Sequence, residues 1–260
     1  MKKISLLLVA TVVLISCSKV GKGEYLITGT AKGIENGKTL VLESQSPIGN
    51  GLIAIDTVKI QNEKFEIKGK VTEPSFHLLQ LESTAGKEPY GKVVFILEEG
   101  EIAIEINKDT ISKTKVSGTY NNDEYFNFNE DLIKLQKKLV DFQKTNTKAM
   151  TTAQQTNDTA VINKLMKEYS KIQEVVQVDS KKKYETYAET HPKSFITALI
   201  LQGMLGDPTV DIKKAEKLYN GLEESLKKTK PGIAIKDKLK ALKNPTVAPL
   251  PNAPASADGK

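Results

Sequence analysis

The chain has 260 residues, with 38 basic against 32 acidic side chains, two His, one Cys and no Trp, and every basic residue is Lys. That length fits one large domain or two smaller ones, and a composition of 39% hydrophobic and 27% charged residues is that of a globular protein, neither disordered nor polytopic. A single Cys excludes an internal disulfide and any Cys-x-x-Cys redox or zinc site, and two distant His argue against a His-rich metal centre.

Lys2 and Lys3 precede an apolar run from Ile4 to Ile15 that is broken only by Ser5 and Thr11. A charged start before an apolar segment of this length predicts a secretory signal; it is shorter than the roughly 20 residues a membrane-spanning helix needs. The run closes in Leu14-Ile15-Ser16-Cys17, which resembles the lipobox of bacterial lipoproteins. The resemblance implies cleavage between Ser16 and Cys17, a diacylglycerol thioether on the Cys17 sulfur and an acyl chain on its amine. Each buried CH₂ contributes about 0.8 kcal/mol, so two or three chains anchor a protein durably. Ser18 in the position after the Cys resembles an outer-membrane rather than an inner-membrane sorting signal. Residues 1–16 are therefore expected to be a signal peptide and 17–23 a lipidated tether, with the protein facing the periplasm.

From Glu24 to Gly118 the hydrophobic period is two. Phe65 and Ile67 alternate with Lys64, Glu66 and Lys68, and Ile102, Ile104 and Ile106 alternate with Ala103, Glu105 and Asn107. Turn residues punctuate the runs, at Glu35-Asn36-Gly37, Gly49-Asn50-Gly51, Gln61-Asn62-Glu63, Glu73-Pro74, Ala85-Gly86-Lys87 and Glu99-Gly100. The pattern predicts about eight short strands in an antiparallel sandwich or barrel-like sheet, with no helix. The unbroken run Val93 to Leu97 predicts a central strand covered on both faces.

After Gly118 the period changes. Tyr125, Phe128, Leu132, Leu135, Leu139 and Phe142 follow a 3-4-3-4-3 spacing, the seam of a helix that pairs with another helix. Asn122, before Asp123 and Glu124, is the expected N-cap. A polar stretch, Thr145 to Asn157, interrupts the pattern, and Ile162, Leu165, Tyr169, Ile172 and Val176 resume it on a second helix to about Glu189. The two seams predict an antiparallel hairpin, ended by His191-Pro192. A very apolar helix over Phe195–Leu205 follows, with Ile196, Leu199, Ile200 and Leu201 as core. Then comes a helix over about 211–228 with Ala215, Leu218, Leu222 and Leu226 on one face. Lys230-Pro231-Gly232 is expected to break it before a short last helix reaching Leu242. Residues 244–260, rich in Pro and Ala, carry no periodicity and are expected to be unstructured. The fold class is thus α+β: a β-rich domain over 24–118, then a helical domain over 119–243 built on a long hairpin.

Four segments in this order resemble the front end of TlpA-like (AhpC/TSA-type) periplasmic thiol–disulfide oxidoreductase lipoproteins. They are the lipobox, a β domain ending in Val116-Ser117-Gly118-Thr119-Tyr120-Asn121-Asn122-Asp123, the helical hairpin, and Tyr187 to His191-Pro192 leading into Ser194–Leu201. In that family a β-rich domain of unknown function and a helical segment precede a thioredoxin-like domain. Ala253-Pro254 and Asp258-Gly259-Lys260 look like the opening of that domain, but the family's Trp-Cys-x-x-Cys nucleophile has no counterpart here. Thiol–disulfide exchange needs a free thiolate, so the resemblance carries no catalytic residue onto this chain.

Other chemistry is weakly marked. His77, on a predicted strand, is expected at the rim of the sheet, and His191 at a helix C-terminus where a partial positive charge suits the dipole. Glu98, Glu99 and Glu101 flank a turn without the spacing of a calcium loop. Gly29-Thr30-Ala31-Lys32-Gly33 lacks the spacing of a phosphate loop. Lys residues are dispersed among acids, as in Glu168, Lys171 and Glu174, and the absence of Arg speaks against nucleic acid. Lys181-Lys182-Lys183 and Lys227-Lys228 are expected to solvate helix faces or meet anionic headgroups. No cofactor is expected. The leading expectation is a non-catalytic binding or scaffold module, anchored in the membrane by its N-terminal lipid and partnered by an envelope or thioredoxin-like protein. Its ligand site is expected at the sheet–hairpin junction, at Tyr120, Tyr125 and Phe128. The alternatives are a truncated or split thiol–disulfide oxidoreductase, and a glycan- or peptide-binding β domain.

Overall fold

The computed structural model describes residues 20–46, 51–82 and 91–244. The expected signal peptide, the expected cleavage and lipidation site at Ser16–Cys17 and, beyond Asn244, the Pro/Ala-rich tail lie outside the described residues, as do most of the predicted turns at 49–51 and 85–87.

Eight strands follow one another: β1 (Glu24–Lys32), β2 (Thr39–Gln45), β3 (Leu52–Lys59), β4 (Lys64–Lys70), β5 (Ser75–Leu81), β6 (Lys92–Leu97), β7 (Gly100–Asn107) and β8 (Lys115–Ser117). They form two four-stranded sheets, ordered β4-β1-β7-β8 and β3-β2-β5-β6. The alternating residues behave as their period requires. Phe65, Ile67, Ile102, Ile104 and Ile106 point inward and join Ile27, Leu40, Leu42, Leu79 and Phe95 in one core. Burying each such side chain contributes about 1.5–3 kcal/mol. Pairing is antiparallel except between β1 and β7, which run parallel from Tyr25↔Gly100 to Lys32↔Asn107. Parallel neighbours need a long crossover; here the four strands of the second sheet and β4 lie between them in the chain.

Two expectations for this half are corrected. Val93 to Leu97 is not a central strand: among the described residues β6 pairs with β5 alone and forms an edge, with Val94 42% exposed. Its run is apolar because Val93, Phe95 and Leu97 face the sandwich while Ile96 packs among helices. A 3-10 helix at Lys108–Lys113, where no helix was expected, links β7 to β8 and is capped by the Asn107 side chain accepting from the Asp109 N–H.

The helical half opens with α1 (Tyr120–Gln155) and α2 (Thr159–Thr190), which pair as the predicted hairpin. Leu165 and Val176 are buried while Leu132, Leu135, Leu139 and Phe142 are half-buried. The polar stretch from Thr145 does not interrupt α1. It is helical to Gln155 at the tip of the hairpin, where most side chains are exposed and the Thr147, Thr151 and Thr156 hydroxyls donate to carbonyls four residues back. The reversal needs three residues, with Asn157 left-handed (φ 52°) and Asp158 capping the Val161 N–H. Then follow α3 (Phe195–Met204), α4 (Ile212–Gly221), α5 (Glu224–Lys227) and α6 (Lys230–Lys243). The helix expected over 211–228 is two, since the extended backbone of Leu222 and Glu223 separates α4 from α5. Leu222 and Leu226 still reach the core. Lys230-Pro231-Gly232 does not break a helix; it begins one. Thr229 caps the Gly232 N–H, and Pro is tolerated in a first turn because its missing N–H would have no partner there. Leu199, expected as core, is half-buried. Helices α3–α6 gather with the base of the hairpin in a second core to which the sheet contributes Ile96.

Candidate functional site

The two halves are joined by polar side chains that replace strand and helix partners. At Gly118 the backbone has φ 101°, and a Cβ there would stand 2.5 Å from the Glu101 carbonyl oxygen. Only Gly makes that turn without strain. It brings Thr119, Asn121 and Asn122 against β6.

Asn122 is not the N-cap; α1 starts two residues earlier, after Thr119. Instead its carboxamide clamps the sheet edge. Oδ1 accepts from the Ile96 N–H at 2.9 Å, and Nδ2 donates to the Ile96 C=O at 2.7 Å and to Thr119 Oγ1 at 2.8 Å. Asn121 does the corresponding work for α3. Its backbone N–H and Nδ2 donate to the buried Glu98 carboxylate, and its Oδ1 accepts from the Phe195 N–H at 2.8 Å. Beside it, the Tyr187 hydroxyl is 2.9 Å from both Glu124 Oε2 and Ser194 Oγ, and Ser194 Oγ caps the Ile196 N–H. Burial pushes the Tyr187 phenol far above its ordinary range, with the Glu124 hydrogen bond and charge acting the same way and the Ser194 bond opposing them. It therefore stays a neutral donor.

His191 is the C-cap of α2, as expected, stacked on Tyr187 at 4.2 Å between ring centroids with its Nε2 3.6 Å from Glu124 Oε2. His77 is corrected. It is not at the rim but buried in β5, an interior strand, because its side chain alternates inward beside Phe95. Its Nδ1 lies 3.1 Å from the Ser75 C=O, and burial lowers the imidazole pKa, an effect that hydrogen bond opposes. The three acids near Gly100 do not converge: Glu98 serves Asn121, Glu99 accepts from the Gly23 N–H, and Glu101 is exposed. Among the described residues no group of three or more His, Cys, Asp or Glu is placed to hold a metal ion. Gly29 is needed for packing, since a Cβ there would meet the Phe65 ring at 2.2 Å. Several lysines are ion-paired, Lys183 with Asp131 at 2.6 Å, Lys214 with Glu185 at 2.7 Å and Lys227 with Glu224 at 2.7 Å.

An open groove of about 1050 Å³ runs from this junction along the hairpin, between α1, α2 and α3. Phe76, Tyr125 and Phe128 lie at its base, and Leu132, Val140, Tyr169 and Tyr184 line its course. A hollow of about 510 Å³ continues it toward the hairpin tip, sharing Gln143, Tyr169 and Gln173 and adding Met150, Leu165 and Met166. Of the three residues expected to bind a ligand, two arrive here. Tyr125 meets Phe76 edge-on at 5.1 Å, and Phe128 packs on Tyr187 at 4.5 Å. Tyr120 does not line the groove; it stands exposed on the first turn of α1. Sequence reasoning missed Phe76 and the groove positions off the helical seam. Exposed Val140 and Met166 carried the available signal, as apolar residues on helix faces that the hairpin does not use.

Residues 25–125 match the family model described as a domain of unknown function, DUF4369. The comparison with curated proteins found no match. The DUF4369 match extends past β8 into α1 and stops at Tyr125, so it includes the Asn121–Asn122 clamp. Within the matched range, the first turn of the helix is tied to the β6 edge at Ile96.

Proposed function

We propose that this protein is a lipoprotein of the cell envelope, held at the outer membrane through Cys17, which presents a non-catalytic binding module to the periplasm. The observation that carries the binding role is the groove, a trough along the hairpin whose aromatic and aliphatic side chains stand among polar ones such as Gln136, Gln177 and Lys181. Concave apolar surfaces with a few polar groups are the usual form of binding sites, and Phe76, Tyr125 and Phe128 offer the rigid aromatic anchors that dominate recognition. Its natural occupant under this reading is an apolar segment of an envelope protein. The anchor is supported by the lipobox-like Leu14–Cys17 segment. Among the described residues no helix is long and apolar enough to cross a membrane.

A second reading has a specific observation in its favour. The Val116–Asp123 and Tyr187–Leu201 segments, which resemble the TlpA-like oxidoreductases, meet at one junction, where the Asn121 carboxamide accepts from the Phe195 N–H. Under it, the module serves a thioredoxin-like domain in an extended reading frame or on a separate chain. Coding sequence for Trp-Cys-x-x-Cys beyond Lys260 supports this reading.

Photo-crosslinking in cells tests the groove. Benzoylphenylalanine in place of Val140 is expected to capture a discrete envelope protein, and in place of Lys68, on the sheet, to capture none; identical patterns at both positions refute the binding role. Labelled palmitate is expected to enter the wild type and not Cys17→Ala. A hydrolytic turnover abolished by substituting His77 or His191 refutes the non-catalytic assignment.

A further inference from the structure

The β6 edge is only partly closed. The Asn122 carboxamide takes both backbone groups of Ile96, sitting where the peptide group of a neighbouring strand would sit. In an antiparallel strand the N–H and C=O of one residue point to the same side, and the sides alternate along the chain. β6 pairs with β5 in an unbroken register from Gln80↔Lys92 to Ser75↔Leu97. Val94 and Lys92 therefore turn their backbone groups the same way as Ile96, away from β5. Among the described residues no hydrogen bond caps those of Val94.

Beside this free stretch lies a cavity of about 570 Å³ between β6, the 3-10 turn and α1. Ile111, Val116, Tyr125, Phe126 and Ile133 give it apolar walls, and Lys92 and Glu130, of opposite charge, stand on its lining. Thr114 lines it too, and its Oγ1 is buried without a hydrogen-bond partner. Buried hydroxyls are ordinarily bonded, so an orphan one calls for a partner. The same sheet's other edge is protected differently. β3 carries a bulge opposite Leu42/Glu43, and the Asp56 carboxylate takes the Thr57 N–H at 2.7 Å. Bulges and edge charges are the usual blocks to strand addition. On β6 the block ends at Ile96.

We propose that the β6 edge at Lys92–Val94 receives an extended peptide segment of another protein as an added strand, continuing the line that Asn122 begins. The free edge spans three residues, about 10 Å at 3.3 Å per residue, so the guest contributes three or four residues. One aliphatic side chain of the guest enters the cavity, and Thr114 Oγ1 bonds its backbone. The guest is uncharged at that position, because the walls are apolar and the two rim charges cancel. This site shares Tyr125 and Asn129 with the groove but opens on the sheet edge, and it does not depend on the groove being used.

The full chain is titrated with fluorescein-labelled acetyl-Thr-Val-Thr-Val-Thr-amide and with the same peptide N-methylated at both valines, which removes alternate N–H donors. Fluorescence anisotropy is expected to saturate with the first and to show at least tenfold weaker binding with the second. Hydrogen exchange at the Val94 amide is expected to slow at least tenfold with the first peptide. Val94→Pro, a substitution tolerated at an outward-facing edge position, is expected to weaken binding at least tenfold, and Thr114→Val severalfold. Equal binding of both peptides, or no binding of the first at about 1 mM, overturns the proposal. So does protection at Leu132–Val140 instead of Val94, which assigns the peptide to the groove. Protection of Val94 that grows with protein concentration alone assigns the edge to a second copy of this chain and likewise overturns it.

Discussion

Replacing Asn122 by Leu tests the clamp directly. The two side chains are similar in size, so the substitution removes hydrogen bonds while filling nearly the same space. Ile96 is fully buried, and with Leu at 122 its N–H and C=O lose both partners at a place water does not reach. Each unsatisfied buried group costs about 1–3 kcal/mol, so the expected loss for the two is about 2–6 kcal/mol, against a total of about 5–15 kcal/mol for a typical domain. At roughly 2–4 °C per kcal/mol for a chain of this size, circular dichroism should show the melting temperature fall by about 10 °C. Asn122→Asp separates the two halves of the clamp. It keeps an acceptor for the Ile96 N–H and sets a carboxylate oxygen against the Ile96 C=O, so it is expected to destabilise at least as much at neutral pH and to recover as acid protonates it. A melting temperature for Asn122→Leu within about 2 °C of wild type refutes the clamp as a stabilising device.

Two further outcomes follow from the same junction and from the sheet. Tyr187→Phe leaves Glu124 and the fully buried Ser194 without the shared hydroxyl, and urea unfolding is expected to show a loss of about 1–2 kcal/mol; an unchanged midpoint counts against the network. His77 makes stability depend on acid. Burial holds its folded pKa below the ordinary value of 6.5, so between those two values the unfolded chain binds more protons than the folded one. The stability it contributes is fully present above about pH 6.5 and is lost as pH falls through the folded value. Urea midpoints measured between about pH 7.5 and 4.5 are therefore expected to fall less steeply for His77→Gln than for wild type; parallel curves refute the assignment.

Much of the architecture is legible from periodicity, because period two and period 3.6 each record one buried face. Ile102, Ile104 and Ile106 announced a strand with a core side, and Tyr125 to Phe142 announced a helix with a seam. Periodicity failed where burial came from elsewhere. Val93 to Leu97 looked central because the run is apolar on both faces, yet the face turned from the sandwich is covered by helices only at Ile96 and leaves Val94 exposed. The 145–155 stretch looked like a loop because most of its side chains are polar and exposed, although helix geometry does not require a continuous apolar face at a hairpin tip.

The candidate site divides in the same way. Tyr125 and Phe128 stood out as aromatic residues beside the domain boundary, and both reach the groove. Tyr120, equally prominent in the chain, stands exposed at the first residue of α1 and off the groove. Asn122 looked like a helix cap, since its type and place suit one, and no local pattern announces that its amide instead serves a strand 26 residues back. Local spacing dictates which residues share a face, for it depends only on the repeat of the backbone. Which face meets which, and which polar group ends up beside an unpaired peptide, depends on how the sheet and the hairpin come to rest against each other.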